Sequence, residues 1–480
     1  MNTRPIFEVM ASENRQAVID QAFRLLETNG VSVFSEDAKK YYAGSGCTVD
    51  GDNVKIPAAL VKKCIASAPS IIEMFDRTGK PAMHVGGRNT YVGPGPTCPN
   101  FFDIYTGERR PARKNDAALT ARLADGLKHM DFVMSLVMIG DTKKELADIH
   151  EVDAMIRNTT KPIVTWAFNA KNLQTIIDLC AAVAGGLEQL QEKPFLMVYC
   201  EPTTPFIHSK DALEKLMLLA KNNIPCIYTP GMIMGATAPV TIAGAMTVGV
   251  ADSLAGLVLS QLVREGAPFV GGACGGPMDM KTMQHSYGAP EWILLHAGST
   301  EVFHQLDIPV FSAAGCSDSK IEDAQAASEA MLQIFSALAT GGNIIHDIGF
   351  MDLGITGSAL HMVMCDELIG QAKRFLRGID VDEDHLAEEV IREAGPGGNY
   401  LAEEHTMEYF RDEVWFANLV SRENHETWSK NGGKTMTERA RDYMLHLLET
   451  HTPQPLPEDI TTVLDRLMKE TDDGFRSRLN

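Results

Sequence analysis

No CxxC pair, no HExxH and no GxGxxG after a strand-like run occurs in this chain, and the glycine-rich GGACGGP lacks the GK[ST] of a phosphate loop. A zinc-hydrolase helix, a dinucleotide fold and a nucleotide phosphate site are set aside with them. Positive charge is scarce: 43 Lys and Arg stand against 63 Asp and Glu, a formal net charge of -20. Such a field offers no basic stripe for phosphates, so no nucleic-acid partner is expected. Apolar runs are short, with none reaching the length that spans a bilayer, and MNTRPIFEVMASENRQ has no apolar signal core. No membrane association and a cytoplasmic location are therefore expected. The nine cysteines are an odd number and read as reduced thiols rather than a disulfide framework.

What is present is a repeat of apolar strand and amphipathic helix. TYVGP, DFVMSL, PIVTWAF, PFLMVYC, PCIYTPG, PFVGGAC, PVFSAAG and NIIHDIG begin at residues 90, 131, 162, 194, 225, 268, 309 and 343. The spacing is that of a βα unit, and eight such units close a parallel barrel. Stretches such as KNLQTIIDLCAAVAGGLEQL and SKDALEKLMLLAKNN carry apolar positions at i, i+3, i+4 and i+7, as outer-ring helices do. The predicted fold is α/β, a TIM (β/α)8 barrel over 89–357. An N-terminal helical extension occupies 1–88 and a C-terminal helical segment 358–480. A doubly wound open sheet is the alternative architecture, against which the missing GxGxxG weighs.

In a parallel barrel the chemistry sits just past the C-terminal ends of the strands. The loops there are GPGPTCPNFFD, VMIGDTKK, FNAK, EPTTPFIHSKD, MIMGATAPVT, GGPMDMKT, CSDSK and FMDLGITGS. Their glycines, among them Gly93, Gly95, Gly275, Gly276 and Gly349, let a large flat group approach the backbone closely. Tyr91, Phe101, Phe102, Trp166, Phe168, Tyr199, Tyr228, Phe311 and Phe350 are strand-end aromatics. A few of them converging with an acid make a cage for a quaternary ammonium. Glu201, directly after PFLMVYC, is that acid, because a carboxylate there is costly to bury without a cation or a donor. His346, beside Asp347 at the end of the last strand, is the candidate catalytic side chain. Asp318 and Lys320 either pair with each other and cap the next helix or serve the site. Cys98, Cys200, Cys274 and Cys316 also fall at strand ends, and four thiols would make a zinc site.

The segments LADGLKHMDFVMSL, TAPVTIAGAMTVGVADSLAGLVLSQLVREGAPFVGG and GCSDSKIEDAQAASEAMLQIFSALATGGNIIHDIGFMDLG resemble the trimethylamine:corrinoid methyltransferase superfamily. The likeness runs from about residue 10 to 450. It implies a TIM barrel that moves a methyl group from an N-methylated amine to the Co(I) corrinoid of a separate small corrinoid protein. The founding members use pyrrolysine to activate trimethylamine, whereas this chain is written in the twenty standard residues. It is similar in this to the branch that demethylates quaternary amines such as glycine betaine, carnitine or proline betaine, and glycine betaine is preferred. On this resemblance Tyr91, Phe101, Tyr199, Tyr228, Phe311, Phe350 and Glu201 hold the cation, and Lys320 or backbone amides of the glycine-rich loops meet its carboxylate. His346 faces the corrin side as donor or positioning group. Gly93, Gly95, Gly275, Gly276, Ser317, Asp318 and Gly349 form the corrinoid face. No tightly bound metal is expected, and a homo-oligomer is, since helical appendices at both ends offer faces to a neighbour. A zinc-dependent methanol or thiol methyltransferase and a non-catalytic amine-binding protein are the other functional readings.

Overall fold

Seven of the eight predicted apolar runs are strands: β1 Tyr91–Pro94, β2 Ile163–Trp166, β3 Leu196–Cys200, β4 Cys226–Tyr228, β5 Phe269–Val270, β6 Phe311–Ala313 and β7 Ile344–Ile348. They come from a computed structural model that describes residues 5–479, with side chains as far as Phe475. The ends of the two predicted appendices, residues 1–4 and Asn480, lie outside the described residues. The strands form two parallel sheets, in the orders β5-β4-β3-β2 and β6-β7-β1. Single bridges rather than continuous ladders join them. Gly271 N–H donates to the Pro309 carbonyl at 2.8 Å and Phe311 N–H to that of Gly271 at 2.7 Å. On the other side the eighth run is extended without being a ladder strand. Asp131 N–H donates to the Val92 carbonyl at 2.6 Å, and toward β2 Val133 N–H donates to the Pro162 carbonyl and Val164 N–H to that of Val133, each at 2.9 Å.

Alternation along the strands separates two cores. Leu196, Val198 and Cys200 of β3 pack outward against helices. Met197 points inward and joins Phe132, Met134, Val164, Ile227, Val270, Phe311 and Ile344 in a second buried cluster, against which Tyr199 packs. The inner cluster also contains Ile72, Met74, Met83 and Val85. Those four belong to an antiparallel hairpin, Ile71–Phe75 with Pro81–Gly86. The hairpin fills the N-terminal end of the strand assembly and leaves the other end free.

That hairpin corrects the expectation of a purely helical extension over 1–88. The predicted helices are there, at Ser12–Thr28, Glu36–Ala43 and Ala58–Ser67. With them come the hairpin and a small sheet in which Val31–Val33 pairs with Asn53–Lys55 on one side and with Ile207–His208 on the other. The physical reason lies in DRTGK, which is a turn between two alternating strands. The Asp76 carboxylate accepts the N–H groups of Thr78 and Lys80 at 2.8 and 3.0 Å, and Gly79 takes φ 83°.

The chain beyond 357 is helical, and its first helix, Ala359–Leu376, packs on Ala324–Thr340 and Met436–Thr450. Among the described residues one helix, Ile242–Val263, is long and apolar enough to cross a membrane by composition, and most of it is packed inside the protein. It lies against Ser12–Thr28, Ala58–Ser67 and Lys210–Lys221.

Candidate active site

A cavity of about 450 Å³ opens at the C-terminal ends of the strands. Trp166 ends β2, Tyr199 and Glu201 end β3, Gly231–Ile233 follow β4, Phe311 lies on β6 and His346 and Asp347 on β7, and all line it. A roof comes from a segment after β5. The strand Cys274–Asp279 turns back through Gln284–His285, and the helix Pro290–Gln305 follows. This segment brings His285, Tyr287, Trp292 and His296 over the cavity. Trp292 and His296 pack at a tilt of 30° with centroids 4.0 Å apart, and Tyr287 meets Phe350 edge-on at 6.2 Å.

The acid is held by its neighbours. Tyr199 Oη donates to Glu201 Oε2 at 2.6 Å. A Cβ at Gly231 would stand 2.5 Å from Glu201 Oε1, so glycine leaves room for the carboxylate there. Glu201 is open to the cavity but enclosed by protein on its other sides, which pushes its pKa up, and the Tyr199 hydroxyl, the Lys215 charge and the Gly231 N–H oppose that shift. Lys215 itself lines the cavity and donates to the Ala167 carbonyl at 2.6 Å. Trp166 is aimed by a carboxyl behind it, with Nε1 donating to Glu151 Oε2 at 3.1 Å. Glu151 is fully buried, which pushes its pKa up to about 8.

His346 stacks on Phe311 with centroids 3.8 Å apart. Its Nδ1 meets the Ser312 carbonyl at 2.8 Å and its Nε2 lies 3.2 Å from Asp347 Oδ1. Burial lowers the His346 pKa to about 3 and raises that of Asp347 to about 8.

Of the predicted residues, His346, Glu201, Tyr199, Phe311, Phe350 and Gly275 come together here. Others stand elsewhere. Tyr228 is fully buried on the outer side of β4, with its hydroxyl 2.7 Å from His208 Nδ1. Phe101 is buried beneath the Arg110 guanidinium at 5.6 Å. Tyr91 starts β1, at the opposite end of the strands, where its hydroxyl accepts the His84 N–H at 2.8 Å. Lys320 is exposed and donates to the Asp318 backbone carbonyl at 2.6 Å, so its partner is not the Asp318 carboxylate.

Apart from Gly275, the residues expected on a corrinoid face meet other parts of the chain. A Cβ at Gly93 would strike Phe132 at 2.6 Å, one at Gly95 Asp347 Oδ1 at 2.4 Å, and one at Gly276 Trp292 at 2.5 Å. Gly349 takes φ 101° against Leu136. Ser317 Oγ donates to Glu329 at 2.6 Å. The Asp318 carboxylate accepts Ser286 Oγ and the N–H groups of Tyr287 and Gly288 at 2.5, 2.9 and 3.1 Å, and so clamps the roof. The four strand-end thiols do not converge: among the described residues the one group with three metal-ligating atoms in mutual reach is Asp380, His385 and Glu413, in the C-terminal segment.

Tyr287, Trp292, His285, His296 and Lys215 escape a reading restricted to strand ends, because they sit on the roof segment and on a helix. Asp347 and Trp166 carried a visible signal, one beside His346 and the other at the end of β2.

The trimethylamine methyltransferase (MTTB) family model matches residues 1–474. The chain is 32% identical to a trimethylamine methyltransferase MttB of Desulfitobacterium hafniense, over 97% of this chain and 94% of that protein. It is 27% identical to a glycine betaine methyltransferase of another strain of the same species, over 97% of each. The fold is similar to the crystal structure of the Methanosarcina barkeri monomethylamine methyltransferase, with TM-score 0.52 and 12% identity over 92% of this chain and 88% of that one.

Proposed function

We propose, from the premise that this chain belongs to the trimethylamine methyltransferase family and is a corrinoid-dependent methyltransferase, that its methyl donor is a quaternary amine, with glycine betaine preferred. One observation carries this reading: an aromatic-walled cavity with a single tyrosine-held carboxylate at its side. Ring faces attract a cation that has no N–H to donate, by roughly 0.5 to 2 kcal/mol each. A quaternary nitrogen already carries the charge that makes its amine a leaving group. No side chain then has to activate it covalently, which suits a chain without pyrrolysine. The relative named for glycine betaine supports the same choice.

We read the two parallel sheets and the bridges between them as a (β/α)8 ring, which puts all these groups at one end. The residues around the mouth fit a large, flat, mostly apolar group. Val240, Met280, Met283, Ile321 and Ile355 are exposed on loops that follow β4, β5, β6 and β7. Apolar side chains gathered on one face mark a docking surface. When bound there, a Co(I) corrinoid carried by a small partner protein supplies the nucleophile that accepts the methyl group. The chain's own share is positional. Trp166, Tyr199, Phe311 and Phe350 orient the ammonium, Glu201 balances part of its charge, and Lys215, the lysine nearest Glu201, meets the substrate carboxylate in place of Lys320. His346 borders the reacting nitrogen. The charge must not be held too tightly, because it leaves the nitrogen as the N–CH3 bond breaks. A homo-oligomeric assembly belongs to the same proposal.

The test is to follow methylation of free cob(I)alamin spectroscopically with glycine betaine, carnitine, proline betaine and trimethylamine in turn. Conversion with glycine betaine and none with trimethylamine is expected. Conversion with trimethylamine alone overturns the quaternary-amine reading, and silence with all four, together with zinc bound to the purified protein, overturns the reaction class.

A further inference from the structure

His346 and Asp347 are consecutive residues that both line the cavity, which a regular strand does not allow. The register of β7 against β1 shifts between Ile345 and Ile348, and Asp347 adopts a left-handed backbone with φ 73°. The irregularity turns both side chains to one side, and a strained aspartate held there points to a purpose beyond packing. The ring's hydrogen bond then fixes its proton. The Ser312 carbonyl can only accept, so Nδ1 of His346 carries the ring hydrogen. Nε2 presents a lone pair to Asp347 Oδ1 at 3.2 Å. A ring lone pair facing that oxygen at this distance is repelled by a carboxylate, so the contact favours a carboxyl group that keeps its proton.

The surroundings favour the neutral pair. Cys98, Tyr199, Cys274, Tyr287 and Cys316 face Asp347 from the neighbouring elements, and all are neutral groups. Glu201 lies beyond Tyr199 and is an acid. Among the described residues Lys215 is the only Lys or Arg lining the cavity, and it acts on Glu201 and on the Ala167 carbonyl. No fixed cation therefore stands against Asp347. Burial acts in the same sense on both partners, holding the ring and the carboxyl uncharged at neutral pH.

We propose that Asp347, beside Glu201, is a second charge-balancing group of this cavity, and that it releases its proton to solvent as a quaternary ammonium enters and takes one back when the amine product is left uncharged. The inference rests on the quaternary-amine reading and adds a mechanism of selectivity to it. One proton leaves on binding and one returns after methyl transfer, so the cycle is balanced. The Asp347 part of the negative charge that holds the cationic substrate is gone once the nitrogen is neutral, and the product is let go. Below the pKa of the pair, cation affinity rises about tenfold per pH unit, as a binding step linked to loss of one proton must.

The experiment is calorimetry on the full chain at pH 7, in two buffers of different protonation enthalpy. The ligands are tetramethylammonium, glycine betaine and 3,3-dimethylbutyrate, the uncharged-carbon isostere of the betaine. Release approaching one proton per bound cation is expected, with none for the isostere. Asp347→Asn abolishes the release and Glu201→Gln keeps it. Infrared difference spectra of the unaltered protein show the loss of a protonated-carboxyl band on cation binding, so the test does not hang on the folding of one variant. Cation binding without proton release, or release that survives Asp347→Asn or vanishes in Glu201→Gln, overturns the proposal. Methylation of cobalamin without proton release defeats this inference alone, while proton-linked ammonium binding without methylation defeats the functional reading alone.

Discussion

The Tyr199 hydroxyl reaches Glu201 over 2.6 Å and is its closest side-chain donor. A hydrogen bond to a charged group contributes about 1.5 to 3 kcal/mol. Tyr199→Phe is therefore expected to lower kcat/KM for the quaternary amine by about ten- to a hundredfold with the fold intact, measured by initial rates at varied substrate. His346→Ala removes a ring of the cavity wall, and on the proposed function it is expected to cost about 10²-fold in methyl transfer. Full activity in that variant would show that the ring only fills space. Glu151 is buried with its pKa raised from 4.5 to about 8. It keeps its proton in the folded chain at pH values where the unfolded chain has lost it. Stability from this group is thus fully present below about pH 4.5 and is lost as pH rises toward 8. Urea unfolding at pH 5 and pH 8 is expected to show this decline, and Glu151→Gln to lack that component.

At the scale of the element, the decisive features are one strand and one insertion. The irregularity in β7 places His346 and Asp347 together, and Gly95 makes room for it. A Cβ at Gly95 would meet Asp347 Oδ1 at 2.4 Å and Phe350 Cε1 at 2.5 Å. Overpacking of this kind costs roughly 1 to 3 kcal/mol. Gly95→Ala is expected to lower the thermal midpoint and also to reduce activity by displacing Asp347, checked by calorimetric unfolding and by the cobalamin assay. The roof segment 274–305 supplies Tyr287 and Trp292, and Asp318 clamps it through three hydrogen bonds. Asp318 and the glycines read from the sequence as ligand-facing, Gly275 apart, thus act one step away from the cavity. They hold or accommodate the side chains that line it. A loop sequence shows which residues are small or polar, but not whether solvent or another side chain fills the space beside them.

For the whole molecule, the inner core is shared between the strands and the hairpin at their N-terminal end. Met74 is fully buried in it, among residues from both. Met74→Ala leaves a cavity in close-packed surroundings and is expected to cost about 2 to 5 kcal/mol, measured by denaturant unfolding, with the cavity at the other end of the strands unchanged. The alternating pattern of IIEMF and PAMHVG was legible in principle, but DRTGKPAMHVGGRNT reads as turn and masks it.

By itself the sequence determined the alternation of seven strands with amphipathic helices, the family, and a group of strand-end residues that line the cavity, among them Glu201, Tyr199, Phe311, His346 and Phe350. These follow from local rules: apolar periodicity, turn residues, and a polar side chain placed where a buried strand stops. Only the tertiary structure decided that Tyr91 faces the wrong end, that Tyr228 and Phe101 are core, that Tyr287 and Trp292 roof the cavity, and that His346 and Asp347 turn the same way. Each of these depends on a register, a bulge or a fold-back that brings together residues far apart in the chain. No local periodicity encodes that pairing, because it is set by which distant surfaces bury one another.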